Sequence, residues 1–385
     1  MRIGLLTYFW DNNAGQYWQA ITTFRRLKQV FPSADVEIVD VRHGVSAHEG
    51  RMPRRVLLKP WRYSRYKCAT DAYNQGRITN LKISSRSLDT RNYNEASQFI
   101  DSQGYDLLVT GADVCLKPMS ESDVEGAVPL YWLSPAIRAK KVMLSSSADV
   151  THISDLSASM KEIMKLSIQS YSHIGVRDSM TQELVSKLGV EQSKLCRMAD
   201  PAFSLSPTEK WHLESSKLFP KRRKGRKLAA LHLPNTSEVK TVTQTLERLG
   251  YDLVSITSEL PGVRWGGSLT PESWAGMSNQ VDLVVTVSFH ECIFAIKQGN
   301  PVLVIDAKRN RFNSETGMSK TRCLMRDLGL EASNHLNPFM EKFDSAVIEA
   351  KVEASMAQDY YLAKFRADQM GEDYIASLRK IANAL

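Results

Sequence analysis

Short apolar runs, each stopped by polar residues that open a helix-period segment, recur along the sequence in two series, with a charged and aperiodic stretch between them. Asp106–Thr110 (DLLVT), closed by Gly111-Ala112-Asp113, and Val281–Val287 (VDLVVTV), closed by Ser288-Phe289-His290, are the clearest cases. An apolar run of this length bounded by turn residues suits a strand buried on both faces. Such strands alternating with helical patterns predict βαβ units and a parallel sheet. The chain has 385 residues, too many for one ordinary core and enough for about two domains.

The first series runs through strands at Arg2–Tyr8, Val36–Val41, Asp106–Thr110, Lys141–Leu144 and His173–Val176. Between them lie helices at about Gln16–Phe31, Glu95–Gln103, Ser154–Ser170 and Ser179–Leu188. Trp18, Ile21, Phe24, Leu27 and Val30 fall on one face of the first helix. Gly44–Arg91 is polar and basic and is expected to hold loops and helices over the sheet edge. The second series has strands at Lys227–His232, Asp252–Ile256, Val281–Val287 and Pro301–Ile305, with helices at Val239–Leu249, His290–Gln298 and Met318–Leu328. A long helical stretch from about Ser345 to Ala384 closes the chain. The expected architecture is therefore α/β: a Rossmann-like domain over 1–207, a basic linker over 208–227, a second Rossmann-like domain over 228–345 and a helical segment over 346–385. In open parallel sheets ligands bind beyond the carboxyl ends of the strands, which predicts a site in a cleft where the two domains face each other.

The formal net charge of +8 is uneven, with basic stretches at Arg51–Lys67 and Lys217–Lys227. These read either as solvated loops or as attraction to an anionic partner, a phosphorylated substrate or an acidic membrane surface. No zinc finger, RNP-like motif or basic heptad accompanies the charge, so nucleic acid is not expected. The five cysteines form no C-x-x-C pair, which suits reduced thiols in a cytoplasmic protein and gives no reason to expect a metal. The opening residues lack a signal peptide's long apolar region, and no run is long enough to span a bilayer. The expectation is a cytoplasmic protein, at most peripheral to a membrane. A GxGxxG fingerprint and a Walker A loop are both absent.

Candidate site residues are those at strand ends. Ser288 suits the cap of the helix that follows, which would set His290 on its first turn beside Phe289; a helix N-terminus favours phosphate or carboxylate. A capping Ser beside a structural His is the plainer reading. Arg177, after HIGV, suits a two-pronged grip on an anion, or a surface pair with Asp178. Asn13 and Gly15 close the first strand, where Gly15 would let a ligand approach the backbone, although Asn and Gly favour turns in any case. Asp113 follows DLLVT, where a helix cap or turn is the alternative. Ser145 ends a strand. Lys297, Lys308, Arg309 and Arg311 flank Pro301–Ile305 and together would suit a dianion, though each suits a surface charge alone. Glu291 pairs with His290 or offsets the helix dipole.

Taken in order, these segments resemble the polysaccharide pyruvyl transferase family. MRIGLLTYFWDNNAGQYWQAITTFRRL resembles its first strand, loop and helix; DLLVTGADV and VMLSSSADV resemble two further strand ends. IGVRDSMTQELVSKLGV with ADPAFSL resembles its VRD…DP segment, VVTVSFHECIFAIKQGNPVLVI its SFH segment, and TRCLMRDLGL a helix near its end. The resemblance implies a fold similar to the GT-B glycosyltransferases, phosphoenolpyruvate as donor, and a glycan or lipid-linked sugar as acceptor. It needs no cofactor. It also implies that Arg177 and Ser288-Phe289-His290 bind the donor. His290 suits the general acid, and Asp11, Asp113 and Asp200 are open as the base. Ala14, Ala112, Val114, Cys115 and Glu291 depart from the family pattern and are expected near the cleft. A nucleotide-sugar glycosyltransferase on the same fold, or a glycan-binding member without catalysis, are the alternatives.

Overall fold

A computed structural model describes residues 1–42, 60–118, 129–216, 219, 223–257, 259–306 and 318–385, with only the backbone of 60–62. The described residues fall into two compact units. The first collects those of Met1–Met52, Gln75–Ser204 and Met370–Leu385, and the second those of Pro53–Asn74 and Leu205–Gln369.

In the first unit, β1 (Arg2–Leu6), β2 (Asp35–Arg42), β3 (Ile83–Asp89), β4 (Leu107–Thr110), β5 (Lys140–Ser146), β6 (His173–Val176) and β7 (Leu195–Arg197) form one sheet in the order β3-β2-β1-β4-β5-β6-β7. Every pairing is parallel. The central strands read as unbroken apolar runs because both faces are covered: all four residues of β4 are buried, and Trp132, Tyr131, Met164 and Ile168 belong to the same core. A surface hollow of about 510 Å³, lined by Tyr105, Asp106, Arg138 and Lys140 among others, opens at the amino ends of β4 and β5. It lies at the far end of the sheet from the strand ends discussed below.

The second unit repeats the plan. Its strands are β8 (Lys227–His232), β9 (Tyr251–Ser255), β10 (Arg264–Trp265), β11 (Leu283–Thr286), β12 (Val302–Ile305) and β13 (His335–Leu336), in the order β10-β9-β8-β11-β12-β13. All pairings are again parallel, over a core that includes Leu231, Leu283, Val285 and Leu303. Each sheet is built outward in both directions from its first strand. The strand order therefore reverses between β1 and β4, and again between β8 and β11; such switch points are where open α/β sheets hold ligands.

Three stretches differ from the sequence reading. The expected linker contains a helix, Glu209–Ser216. Periodicity did not reveal it because one residue anchors it: Trp211 is buried and packs edge-on against Phe294, ring centroids 5.4 Å apart. Gly276 admits that close approach, since a Cβ there would lie 2.3 Å from the Trp211 carbonyl oxygen. The described end of the first basic stretch is helical within Pro60–Asn80, where Arg65 donates to the Gly266 carbonyl at 2.6 Å. The rest of that stretch lies outside the described residues. The C-terminal stretch is two helices, Ser345–Ala357 and Tyr361–Ala384. They are parted at the buried Tyr360, whose hydroxyl is engaged by the Val302 N–H and Ser355 Oγ. The last helix contributes its residues through Gln369 to the second unit and those from Met370 to the first. No helix among the described residues is long and apolar enough to cross a membrane, and no group of three or more His, Cys, Asp or Glu among them is placed to hold a metal ion.

Candidate active site

At the first unit's switch point, Asn13 caps the helix Ala14–Val30, its side chain accepting from the Gln16 N–H at 3.2 Å. Gly15 is buried in the first turn. The preceding turn is pinned by Arg77, a residue the sequence reading did not single out; its guanidinium donates to the Asp11 carbonyl and, at 3.5 Å, to Asn12 Oδ1. After β4, Gly111 has φ +121°, and a Cβ there would fall 2.0 Å from the Leu144 carbonyl oxygen. The peptide Gly111–Ala112 is cis. Asp113 and Ser145 both hold left-handed backbone, φ 81° and 52°, a conformation that non-glycine residues keep only where neighbours enforce it. The Asp113 carbonyl accepts from the Ser147 N–H at 2.9 Å, and Ser145 Oγ donates to the Ala199 carbonyl at 2.5 Å.

Beyond these turns lies a closed ionic cluster. Arg177, at the end of β6, donates through Nη1 to Asp200 Oδ2 at 2.8 Å, and its Nη2 stands 3.8 Å from Asp113 Oδ1. Gln19, from the first helix, donates to the same Asp200 oxygen at 2.6 Å, and the Ala202 N–H to the other at 2.9 Å. Asp178 caps the next helix and accepts from Ser147 Oγ at 2.6 Å. The Arg177 side chain is 3% exposed and that of Asp200 0%. Burial works against the guanidinium's charge, but Asp200 and then Asp113 outweigh it and leave its pKa raised. Ala112 and Cys115 are wholly interior, and burial pushes the Cys115 thiol well up. These two departures from the family pattern are interior substitutions, since the side chains face the core.

At the second switch point, Ser288 caps the nine-residue helix Phe289–Lys297, its Oγ accepting from the Glu291 N–H at 3.5 Å. Phe289 and His290 sit in the first turn, 8% and 9% exposed, their rings edge-on at 5.4 Å. Glu291 does not turn to His290. It accepts at 2.6 Å from Nδ1 of His232, the last residue of β8, and its other oxygen accepts from Thr286 Oγ1. His232 was missed because nothing in the sequence ties position 232 to 291; the pairing β8–β11, with Thr286 beside His232, brings them together.

Of the cations expected around β12, Lys297 is buried and paired with Asp368 at 2.8 Å, which removes it from the anion-holding group. Arg309, Lys308 and Arg311 lie outside the described residues. Asp306, at the end of β12, accepts from Ser319 Oγ at 3.0 Å, Thr321 Oγ1 at 2.9 Å and His335 Nε2 at 2.9 Å.

A family model described as polysaccharide pyruvyl transferase matches residues 13–309. No curated protein matches the chain. Among solved structures, the UDP-GlcNAc 2-epimerase of Neisseria meningitidis bound to UDP-GlcNAc aligns with TM-score 0.57 at 7% identity, covering 100% of this chain and 99% of that one. The S. aureus MnaA–UDP co-structure aligns with TM-score 0.56 at 10% identity, covering 99% and 94%. Anabaena Alr3699/HepE in complex with UDP and glucose aligns with TM-score 0.52 at 10% identity, covering 100% and 99%. At such identities the likeness concerns the fold, a pair of Rossmann-like units of GT-B type.

Proposed function

The chain belongs to the polysaccharide pyruvyl transferase family, and from that premise we propose that it moves the carboxyvinyl group of phosphoenolpyruvate onto a glycan or lipid-linked sugar, forming a pyruvate ketal. The observation that supports this most is the Ser288–His290 segment at the second switch point. A capped helix N-terminus carries about half a positive elementary charge. The N–H groups of such a turn suit a phosphate or carboxylate oxygen, each charge-assisted bond contributing about 1.5–3 kcal/mol. The imidazole of His290 is assigned the proton transfer to the donor's methylene carbon, which makes the neighbouring carbon electrophilic. Ser288 and Phe289 are assigned to donor binding, the latter by setting the His290 ring. Arg177 has its guanidinium engaged by Asp200 and Asp113, so we assign it the holding of those carboxylates rather than the donor itself.

The direct test is phosphate release from phosphoenolpyruvate in the presence of a panel of glycan acceptors. His290→Ala is expected to lose at least about 100-fold in kcat; unchanged turnover in that variant removes the assigned acid. Thermal-shift measurements separate this reading from nucleotide-sugar transfer. Stabilisation by phosphoenolpyruvate supports it, and stabilisation by UDP without any by phosphoenolpyruvate favours the alternative.

A further inference from the structure

Ketal formation requires two acceptor hydroxyls to lose their protons, and two of the three aspartates weighed from sequence, Asp200 and Asp113, fit that task poorly. Asp200 is sealed and accepts three hydrogen bonds, one from a guanidinium. Asp113 stands beside the same guanidinium. The backbone carbonyl of Asp11 holds Arg77. The second switch point contains a different candidate. Glu291 has a side chain 0% exposed, with one oxygen on Thr286 Oγ1 and the other on His232 Nδ1. Thr286 Oγ1 is itself fixed by accepting from the Ser288 N–H at 2.8 Å. A carboxylate that accepts at Nδ1 requires the neutral imidazole to keep its proton there, which leaves the lone pair on Nε2. The ring is thus oriented on one side and keeps its lone pair on the other.

A buried carboxylate needs partners, and a latch between strand and helix is the plainer role for His232. The same sheet supplies a comparison. His335 and Asp306 form a pair of similar chemistry at 2.9 Å, and both side chains are 4% exposed, as suits a latch. The His232 side chain is 25% exposed. It also stands at the end of the strand where the winding reverses, directly beside the strand that leads into Ser288 and His290. A merely structural pair has no need of that opening or that place.

We propose that His232 is the base that receives the acceptor hydroxyl proton through Nε2, and that Glu291 is the residue that positions it. The inference rests on the pyruvyl-transfer reading. In the first half of the reaction the hydroxyl oxygen bonds to the donor's central carbon. The methylene carbon gains a proton from the acid, and the hydroxyl proton passes to His232. In the second half the bond from that central carbon to the phosphate oxygen breaks. The second hydroxyl closes the ketal, and its proton is released. Of the two hydroxyl protons, one balances the proton given to carbon and the other leaves with phosphate.

The decisive variant is His232→Asn, because an Asn side-chain amide reproduces the Nδ1 donor toward Glu291 and has nothing at the place of Nε2. A base role predicts a folded protein whose kcat falls about 100-fold or more, with the KM for phosphoenolpyruvate changed little. Near-normal kcat in His232→Asn overturns the proposal and leaves the pair as a latch. If the wild-type protein releases no phosphate with any acceptor, the pyruvyl reading fails by itself, and nitrogen NMR of the imidazole still decides the pair. A neutral ring protonated at Nδ1 that loses this preference in Glu291→Gln supports the positioning role. A ring indifferent to Glu291→Gln refutes it.

Discussion

The two sheets follow one plan but finish their strands differently. In the first unit the polar side chains beyond the strand ends bond to one another: Arg177 with Asp200, Asp200 with Gln19, Asp178 with Ser147. The charges there are sealed, and the Asp200 side chain has no exposure at all. In the second unit the corresponding ends carry imidazoles, and one of them, His232, is held at Nδ1 by Glu291 with its side chain 25% exposed. Buried charge held by an ion pair fixes a local arrangement; an imidazole beside a helix N-terminus suits proton exchange with a ligand. On the proposed reading, the same architecture serves as scaffold in one unit and as chemistry in the other.

The largest expected effect breaks that contrast at its rigid side. Asp200→Ala strands a buried guanidinium and removes the acceptor for Gln19 and the Ala202 N–H, an imbalance that costs about 3–5 kcal/mol. For a unit of this size the thermal midpoint should fall by roughly 6–20 °C. A variant that melts normally but no longer turns over would show that the first cluster takes part in the reaction and that the contrast is false. A smaller effect is expected at the other strand end. Ser288→Ala removes a helix cap worth about 1 kcal/mol, and the KM for phosphoenolpyruvate should rise several-fold as the N-terminal turn loosens. An unchanged KM would mean that this helix end does not touch the donor.

The alternation of strands and helices was legible because buried strands and amphipathic helices leave distinct periods in the sequence. Ser288 was legible as a cap for the same local reason: capping is decided within three residues, and Ser288 Oγ does accept from the Glu291 N–H. The short edge strands β3, β7, β10 and β13 were not, since two to seven residues at a sheet margin carry little pattern of their own. The helix around Trp211 depends on packing against Phe294, 83 positions away. His232 and Glu291 were invisible as a pair for a related reason: adjacent strands place them together, and separation along the chain conceals it. Lys297 looked like an available cation because the sequence does not show Asp368 arriving from the last helix.

A second histidine sharpens the comparison with the smallest effect of the series. His173 opens β6 in the first unit, and its Nε2 lies 3.3 Å from the thiol of Cys196 rather than beside a carboxylate. Burial lowers its pKa from the ordinary value. The sign follows from proton counting. Between the lowered folded value and the unfolded value near 6.5 the unfolded chain binds more protons, so stability rises with pH through that window and is lost as pH falls below about 6.5. Comparing thermal midpoints at pH 7.5 and 5.5, His173→Gln should fall less than the wild-type protein, by roughly 1–3 °C once solvent screening of a half-buried ring is allowed for. Equal losses in the two proteins would mean that His173 accepts its proton in the fold as readily as in the unfolded chain. The first unit would then hold a charged imidazole beside Cys196 without a carboxylate partner, unlike the ion-paired Arg177.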